Sequence, residues 1–155
     1  MRNALRHQPL LAPVAVAYLL LALAGCQRGS SDMPDPAYGS AKCAACGRLI
    51  DDPHFAAQYR LADGTVKSFD DPACLFDALR TDSAAPSAIR FRADDGSGWL
   101  AGPATWFARS PATATHGSGW AAYPSFAAAQ DAVASGGSGE ILSFDQAKIT
   151  LRRAP

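Results

Sequence analysis

His54-Phe55-Ala56-Ala57-Gln58-Tyr59-Arg60-Leu61-Ala62-Asp63-Gly64-Thr65-Val66-Lys67-Ser68-Phe69-Asp70-Asp71-Pro72-Ala73-Cys74-Leu75-Phe76 is the stretch whose reading decides the fold. Two short runs with aromatic and β-branched residues flank Asp63-Gly64, a dipeptide that tolerates the positive φ of tight hairpin turns. They predict a β-hairpin. Asp71-Pro72 then predicts a helix start. The aspartate can cap free amides, and proline suits the first helical position because its missing N–H would have no partner there. Leu75, Phe76 and Leu79 supply an apolar side, and the helix ends near residues 80–82. The stretch reads as one ββα unit.

Toward the C-terminus the plan recurs loosely. After a linker at residues 83–87 containing Pro86, residues 88–93 read as a strand, Asp94-Asp95-Gly96-Ser97-Gly98 as a turn, and Trp99-Leu100 as the start of another strand. Residues 105–110 are a further strand candidate. Ser125 caps a helix over 126–135 that Gly136-Gly137 stops, and 140–144 form a last short strand. The expectation is an α+β protein of two small ββα-type halves packed together, about 42–84 and 88–150.

Toward the N-terminus, Arg2 and Arg6 precede an apolar run over residues 10–23 that Pro13 interrupts. A positive start, a run too short to span a bilayer and small residues at its end describe a secretory signal. Leu21-Ala22-Leu23-Ala24-Gly25-Cys26 resembles the bacterial lipobox. That resemblance implies a signal peptide over 1–25 and a diacylglyceryl group with palmitate-type chains on Cys26. Two or more acyl chains give stable anchoring. The plainer reading is an ordinary signal peptide or short anchor that happens to meet a cysteine. Gln27 stands where an aspartate would favour inner-membrane retention, so the expected place is the periplasmic side of a bacterial membrane, with the outer membrane favoured. Residues 26–41, rich in Gly, Ser, Pro and Asp, read as a lipidated flexible tether.

The remaining domain, 42–155, carries its information in its thiols. Lys plus Arg number 14, as do Asp plus Glu, so the net charge is zero and nucleic acid is excluded as an expected partner. Of four cysteines, acylation of Cys26 leaves Cys43, Cys46 and Cys74. An odd count in an oxidising compartment leaves either one thiol over or a metal holding the thiolates. Cys43-Ala44-Ala45-Cys46 fits metal ligands, a redox dithiol or a structural disulfide. Cys74 falls at the third position of the predicted helix, where the dipole is expected to lower its pKa. Its alternative is a buried apolar cysteine. Soft thiolates select Cu(I), zinc or iron–sulfur clusters, and a cluster usually wants a fourth thiolate. His116, in a Gly-rich loop, and His54, just after the knuckle, are candidate further ligands, although a lone histidine more often sits at the surface. Asp51, Asp52, Asp70, Asp71, Asp94 and Asp95 read as turn and cap residues. The chain shows no acid–base pair or nucleophile set, so no enzymatic activity is expected.

Three ordered segments carry a resemblance. Lys42-Cys43-Ala44-Ala45-Cys46-Gly47, with Ala56-Ala57-Gln58 beyond it, is similar to the opening motif of the NosL family of nitrous oxide reductase accessory lipoproteins. Phe69-Asp70-Asp71-Pro72-Ala73-Cys74-Leu75 resembles that family's FDD-x-x-C segment, and His116-Gly117-Ser118-Gly119-Trp120-Ala121-Ala122-Tyr123 resembles its late Gly-containing loop. The resemblance implies a lipid-anchored, periplasm-facing Cu(I)-binding protein of two ββα halves that supplies copper to nitrous oxide reductase. The chain departs from the family at two methionines, which are Arg48 and His116 here, and Met33 is the sole methionine after residue 25. Arg48 could offset nearby thiolate charge or point to water. His116 could replace the thioether, and a site of cysteines and His116 would take zinc as readily as copper. The expected carrier uses Cys43, Cys46, Cys74 and His116. The alternatives are a zinc- or disulfide-stapled binding lipoprotein and, behind it, a thiol–disulfide oxidoreductase. A homodimer around a shared ion is compatible with the sequence.

Overall fold

The computed structural model describes residues 33–113 and 117–151. The signal peptide, Cys26 and His116 lie outside the described residues. Strands β1 (Ala57–Arg60) and β2 (Val66–Phe69) pair antiparallel with Ala57 opposite Phe69 and Arg60 opposite Val66. Gly64 has φ 90°, and the Asp63 carboxylate accepts from Thr65 N at 2.9 Å, closing the expected turn. Helix α1 (Pro72–Thr81) follows with Asp71 as N-cap. It buries Pro72, Ala73, Cys74, Leu75 and Phe76.

The first sheet does not stop at this unit. Strands β3 (Ala88–Arg92) and β4 (Trp99–Ala101) join it, giving the order β2-β1-β3-β4. The second sheet, order β6-β5-β7, is built from β5 (Trp106–Arg109), β6 (Ala121–Tyr123) and β7 (Glu140–Ser143), with helices α2 (Phe126–Ser135) and α3 (Phe144–Thr150). The α+β class and the two ββα units, β1-β2-α1 and β5-β6-α2, are present. The expected division near residue 88 is corrected. β3 pairs with β1 over four positions, because an open edge beside β1 offers more backbone partners than a separate hairpin would. Helix α3 and strand β6 were not anticipated. The signal for α3 was Ser143-x-x-Gln146, which forms a reciprocal capping box.

A Phe cluster joins the sheets. The Phe76 ring lies 5.5 Å from Phe91 and 5.4 Å from Phe107, and Phe91 meets Phe107 edge-on at 4.8 Å. Each such pair adds about 0.5–1.5 kcal/mol beyond the area it buries. On the other face of the second sheet, Ala108, Ala121 and Tyr123 pack with Ala129 of α2.

The expected tether over 26–41 also needs correcting from Met33 onward. Met33 is buried, and the buried Arg90 guanidinium donates to Met33 O at 2.7 Å and Pro34 O at 3.1 Å. Gln58 Nε2 donates to Pro34 O as well, at 3.1 Å. This segment is a strap across the sheet face opposite α1. Composition marked it as unable to bury much, but its backbone carbonyls, which composition does not register, hold it down. Among the described residues no helix is long and apolar enough to cross a membrane.

Candidate metal centre

The Cys43–Cys46 knuckle is a tight turn closed by Cys43 N donating to Arg48 O at 2.8 Å and Gly47 N to Cys43 O at 2.9 Å. Gly47 sits at φ 78°, a conformation a side chain would strain. Ala44 N donates to Ser68 O at 2.9 Å, which fastens the knuckle to the end of β2. Directly after β2 come Asp70 and then α1, whose first turn carries Cys74. Two local structures, a knuckle and a strand-to-helix corner, thus bring three sulfurs and one carboxylate together.

The ligand atoms of Cys43, Cys46, Asp70 and Cys74 all lie within 4.8 Å of one another. All three cysteines are free thiols, with Cys43 and Cys74 buried and Cys46 half-buried. Asp70 is 4% exposed at its side chain. Its Oδ2 accepts from Arg48 Nε at 3.1 Å and Nη2 at 2.8 Å, and its Oδ1 accepts from Cys46 Sγ at 3.5 Å. A tetrahedral ion with metal–sulfur bonds of about 2.3 Å spaces its ligands about 3.8 Å apart. The cluster therefore needs to close by about 1 Å at its widest edge, within reach of side-chain rotation. The donor set fits a soft or borderline ion.

Protonation is shared. A hydrogen bond from Cys74 is the main reason that the Cys43 thiol is lowered to about 6, against the effect of its own burial. Cys74 moves the other way, because it donates to Cys43, is itself buried and would ionise beside an existing anion. The expectation that the helix start would make Cys74 the thiolate is thereby corrected: its hydrogen bond to Cys43 and its burial outweigh a terminal dipole effect of ~1 kcal/mol. Burial raises the Cys46 thiol. Burial also pushes the Asp70 carboxyl up, but hydrogen bonds from Cys43, Arg48 and Cys74 and the Arg48 charge outweigh it and leave the group below its ordinary value.

Arg48 does not point to water alone. Its charge is held first by Asp70, and it also bears on the Cys46 sulfur. Asp71 faces away from the sulfurs and accepts from Ala73 N at 2.6 Å, Ser118 N at 2.6 Å and Ser118 Oγ at 2.8 Å. Gly117 has φ 47°, and a Cβ there would overlap Asp71 Oδ2 and approach Arg48 Nη2 to 3.4 Å. The loop residue that follows His116 thus presses on the wall of the site, and only glycine fits.

His54 is not brought to the cluster. Its ring is 53% exposed, 3.8 Å from Asp52, and its Nε2 lies 3.8 Å from where a Cβ on Gly96 would stand. The short 3-10 turn Pro53–Phe55 buries Phe55 and turns His54 outward. Asp70 is the site residue that sequence reading missed. The signal was the doublet itself: one aspartate suffices to cap α1, which leaves its neighbour for another role.

Among solved structures, the fold is similar to the crystal structure of the copper chaperone NosL from Shewanella denitrificans. The TM-score is 0.59 at 17% sequence identity, and the match covers 74% of this chain and 94% of that one. The NosL-like architecture anticipated from three motifs is thus the architecture found. No protein-family model matches the chain, and no curated protein matches it in sequence.

Proposed function

We propose that this protein is a copper(I) carrier that binds the ion with Cys43, Cys46 and Cys74, is held by a lipid on Cys26 at the periplasmic side of a bacterial membrane, and passes copper to an exported cuproenzyme, with nitrous oxide reductase as the client. The observation that carries the reading is the gathering of three free thiols and Asp70 within 4.8 Å. Soft sulfur donors select a soft ion. The copper-chaperone role of the structural neighbour, which shares the two-sheet fold, supports copper over other soft ions.

The ion here is cargo. Cys43 lies lowest in pKa and offers the first thiolate, and half-buried Cys46 is the most open of the three thiols. Capture starts from Cys43, and release by ligand exchange starts at Cys46, where an incoming donor meets the least cover. His116, outside the described residues, is a further candidate ligand for the ion.

Anaerobic Cu(I) titration of the detergent-solubilised full chain against a chromophoric chelator tests this. Wild type holds copper far more tightly than micromolar, and Cys43→Ser, Cys46→Ser and Cys74→Ser each weaken it. Affinity no better than micromolar, or cysteine variants that bind as wild type, removes the reading.

A further inference from the structure

The two oxygens of Asp70 do different things. Oδ2 is gripped by the Arg48 fork through two hydrogen bonds, whereas Oδ1 lies toward the sulfurs, 3.5 Å from Cys46 Sγ. A carboxylate held from behind by a charged donor, with its other oxygen toward a thiol cluster, is how metal-ligating carboxylates are oriented by the groups around them. Asp70 is almost wholly buried, and Arg48 reaches it from a mostly exposed position.

Chemistry separates the ions that can use this oxygen. Cu(I) is soft and is satisfied by two or three thiolates, so a carboxylate adds little to it. Zinc and its class are borderline, take tetrahedral geometry and accept sulfur and carboxylate oxygen together. Charge points the same way. Three thiolates, Asp70 and Arg48 sum to about −3 when all are ionised, which a divalent ion offsets more fully than a monovalent one.

We propose that Asp70 Oδ1 is a fourth ligand recruited only by a divalent ion of the zinc class, and that Arg48 is the positioning residue that aims it. This rests on the carrier reading for the three sulfurs and goes beyond it. The same thiols hold Cu(I) without Asp70 and a divalent ion with it, so the Arg48–Asp70 pair sets how strongly zinc competes with copper for the site.

The test uses the detergent-solubilised full chain with Co(II) as a spectroscopic stand-in for zinc, Zn(II) competition for affinity and Cu(I) titration as the parallel arm. Asp70→Asn keeps the shape and an acceptor for Arg48 but weakens the donor. It is expected to lower zinc affinity about 10- to 100-fold and to shift and weaken the tetrahedral cobalt bands. Arg48→Gln is expected to lower zinc affinity about 10-fold. Cu(I) affinity is expected to change less than about threefold in both, since the soft ion does not use the oxygen. Wild-type cobalt bands and zinc affinity in Asp70→Asn overturn the proposal, as does an equal loss of both metals in either variant. Should Asp70→Asn fail to fold, the zinc-to-copper ratio of Arg48→Gln decides alone, and an unchanged ratio overturns it. Failure of the carrier reading looks different, because there the cysteine variants leave copper binding untouched.

Discussion

Of the arginines that hold carboxylates, Arg90 and Arg48 do so in opposite settings. Arg90 is 2% exposed at its side chain, whereas Arg48 is 59% exposed. Arg90 donates to Gln58 Oε1 at 2.8 Å, to the Met33 and Pro34 carbonyls and to Asp35, and it stacks 3.9 Å from the centre of the Trp99 ring, whose Nε1 donates to Asp35 at 2.7 Å. That network ties a buried guanidinium to buried amide and carbonyl oxygens, with half-exposed Asp35 at its rim. Around Arg48 the carboxylate is shared: the guanidinium holds Oδ2, and the thiols bond to Asp70 and to one another. The difference teaches what each cluster is for. A network of cationic and amide donors on backbone carbonyls fixes a strap in place, and one of thiols and a carboxylate gathers atoms that an ion can take over.

The sharpest way to break the comparison is to open the Arg90 network. Arg90→Met keeps the length and apolar stem but removes every donor, taking from Gln58 Oε1 and the Met33 carbonyl the guanidinium that holds them. Leaving two buried oxygens without a donor costs about 2–4 kcal/mol in all. Urea unfolding is expected to show that loss, with faster exchange of the Met33 and Asp35 amides, while the thiol cluster still binds metal. If stability falls by less than about 1 kcal/mol, the strap is not held as the structure shows it.

The thiol cluster carries the next effect, and it depends on pH in the metal-free protein. An ordinary thiol ionises near ~8.5. Cys43 ionises at about 6 when folded, so its stabilisation is complete above about 8.5 and is lost as pH falls through 6. Cys74 is raised instead, so its contribution is intact below about 8.5 and lost as pH climbs past it. Stability of the reduced, chelator-treated chain should rise from about pH 6 to a maximum near 8.5 and then fall, with a rising limb of order 3 kcal/mol at most. The two thiols titrate as a pair, so Cys43→Ser and Cys74→Ser should each flatten both limbs. Urea midpoints across that range check it. A monotonic fall from pH 6 would mean that no thiolate is stabilised there.

A third effect of about 2 kcal/mol belongs to Asp71, beside Asp70 in sequence and facing the other way. Asp71→Ala removes a helix cap worth ~1 kcal/mol and leaves the Ser118 amide and hydroxyl without their acceptor, for a similar further loss. Asp71→Ser keeps much of the cap alone and should recover about half, as read by thermal unfolding.

The Asp70-Asp71 doublet also shows how much was legible. The cap, the hairpin turn at Asp63-Gly64 and the knuckle at Gly47 rest on residues within a few positions of each other, and all three are where local chemistry puts them. The meeting of Cys43 and Cys46 with Cys74 was legible as an odd count of thiols rather than as geometry. Asp70 was not, because its role depends on Arg48, a partner 22 positions away. The strap on Arg90 was hidden for the same reason: it is made by carbonyls 56 and 57 positions distant, and backbone acceptors leave no mark in composition. β3 went to the first sheet for the sake of an open edge, which only the assembled hairpin presents.

Arg48 gives the smallest effect on stability and the closest control on the contrast. Its guanidinium makes the same kind of forked contact as Arg90, at 2.8 and 3.1 Å, yet most of it is in water. Solvent competes for the arginine but not for Asp70, so the pair lies between an exposed one, worth about 0–1 kcal/mol, and a buried one. Arg48→Met, which also places a thioether beside the sulfurs, is therefore expected to lower stability by about 1 kcal/mol, less than Arg90→Met. It is also expected to strengthen Cu(I) binding in chelator competition, since a soft ligand replaces a cation next to the ion. A stability loss matching that of Arg90→Met would show the Asp70 charge to be held as tightly as the strap. The distinction between a structural network and a binding one would then be wrong.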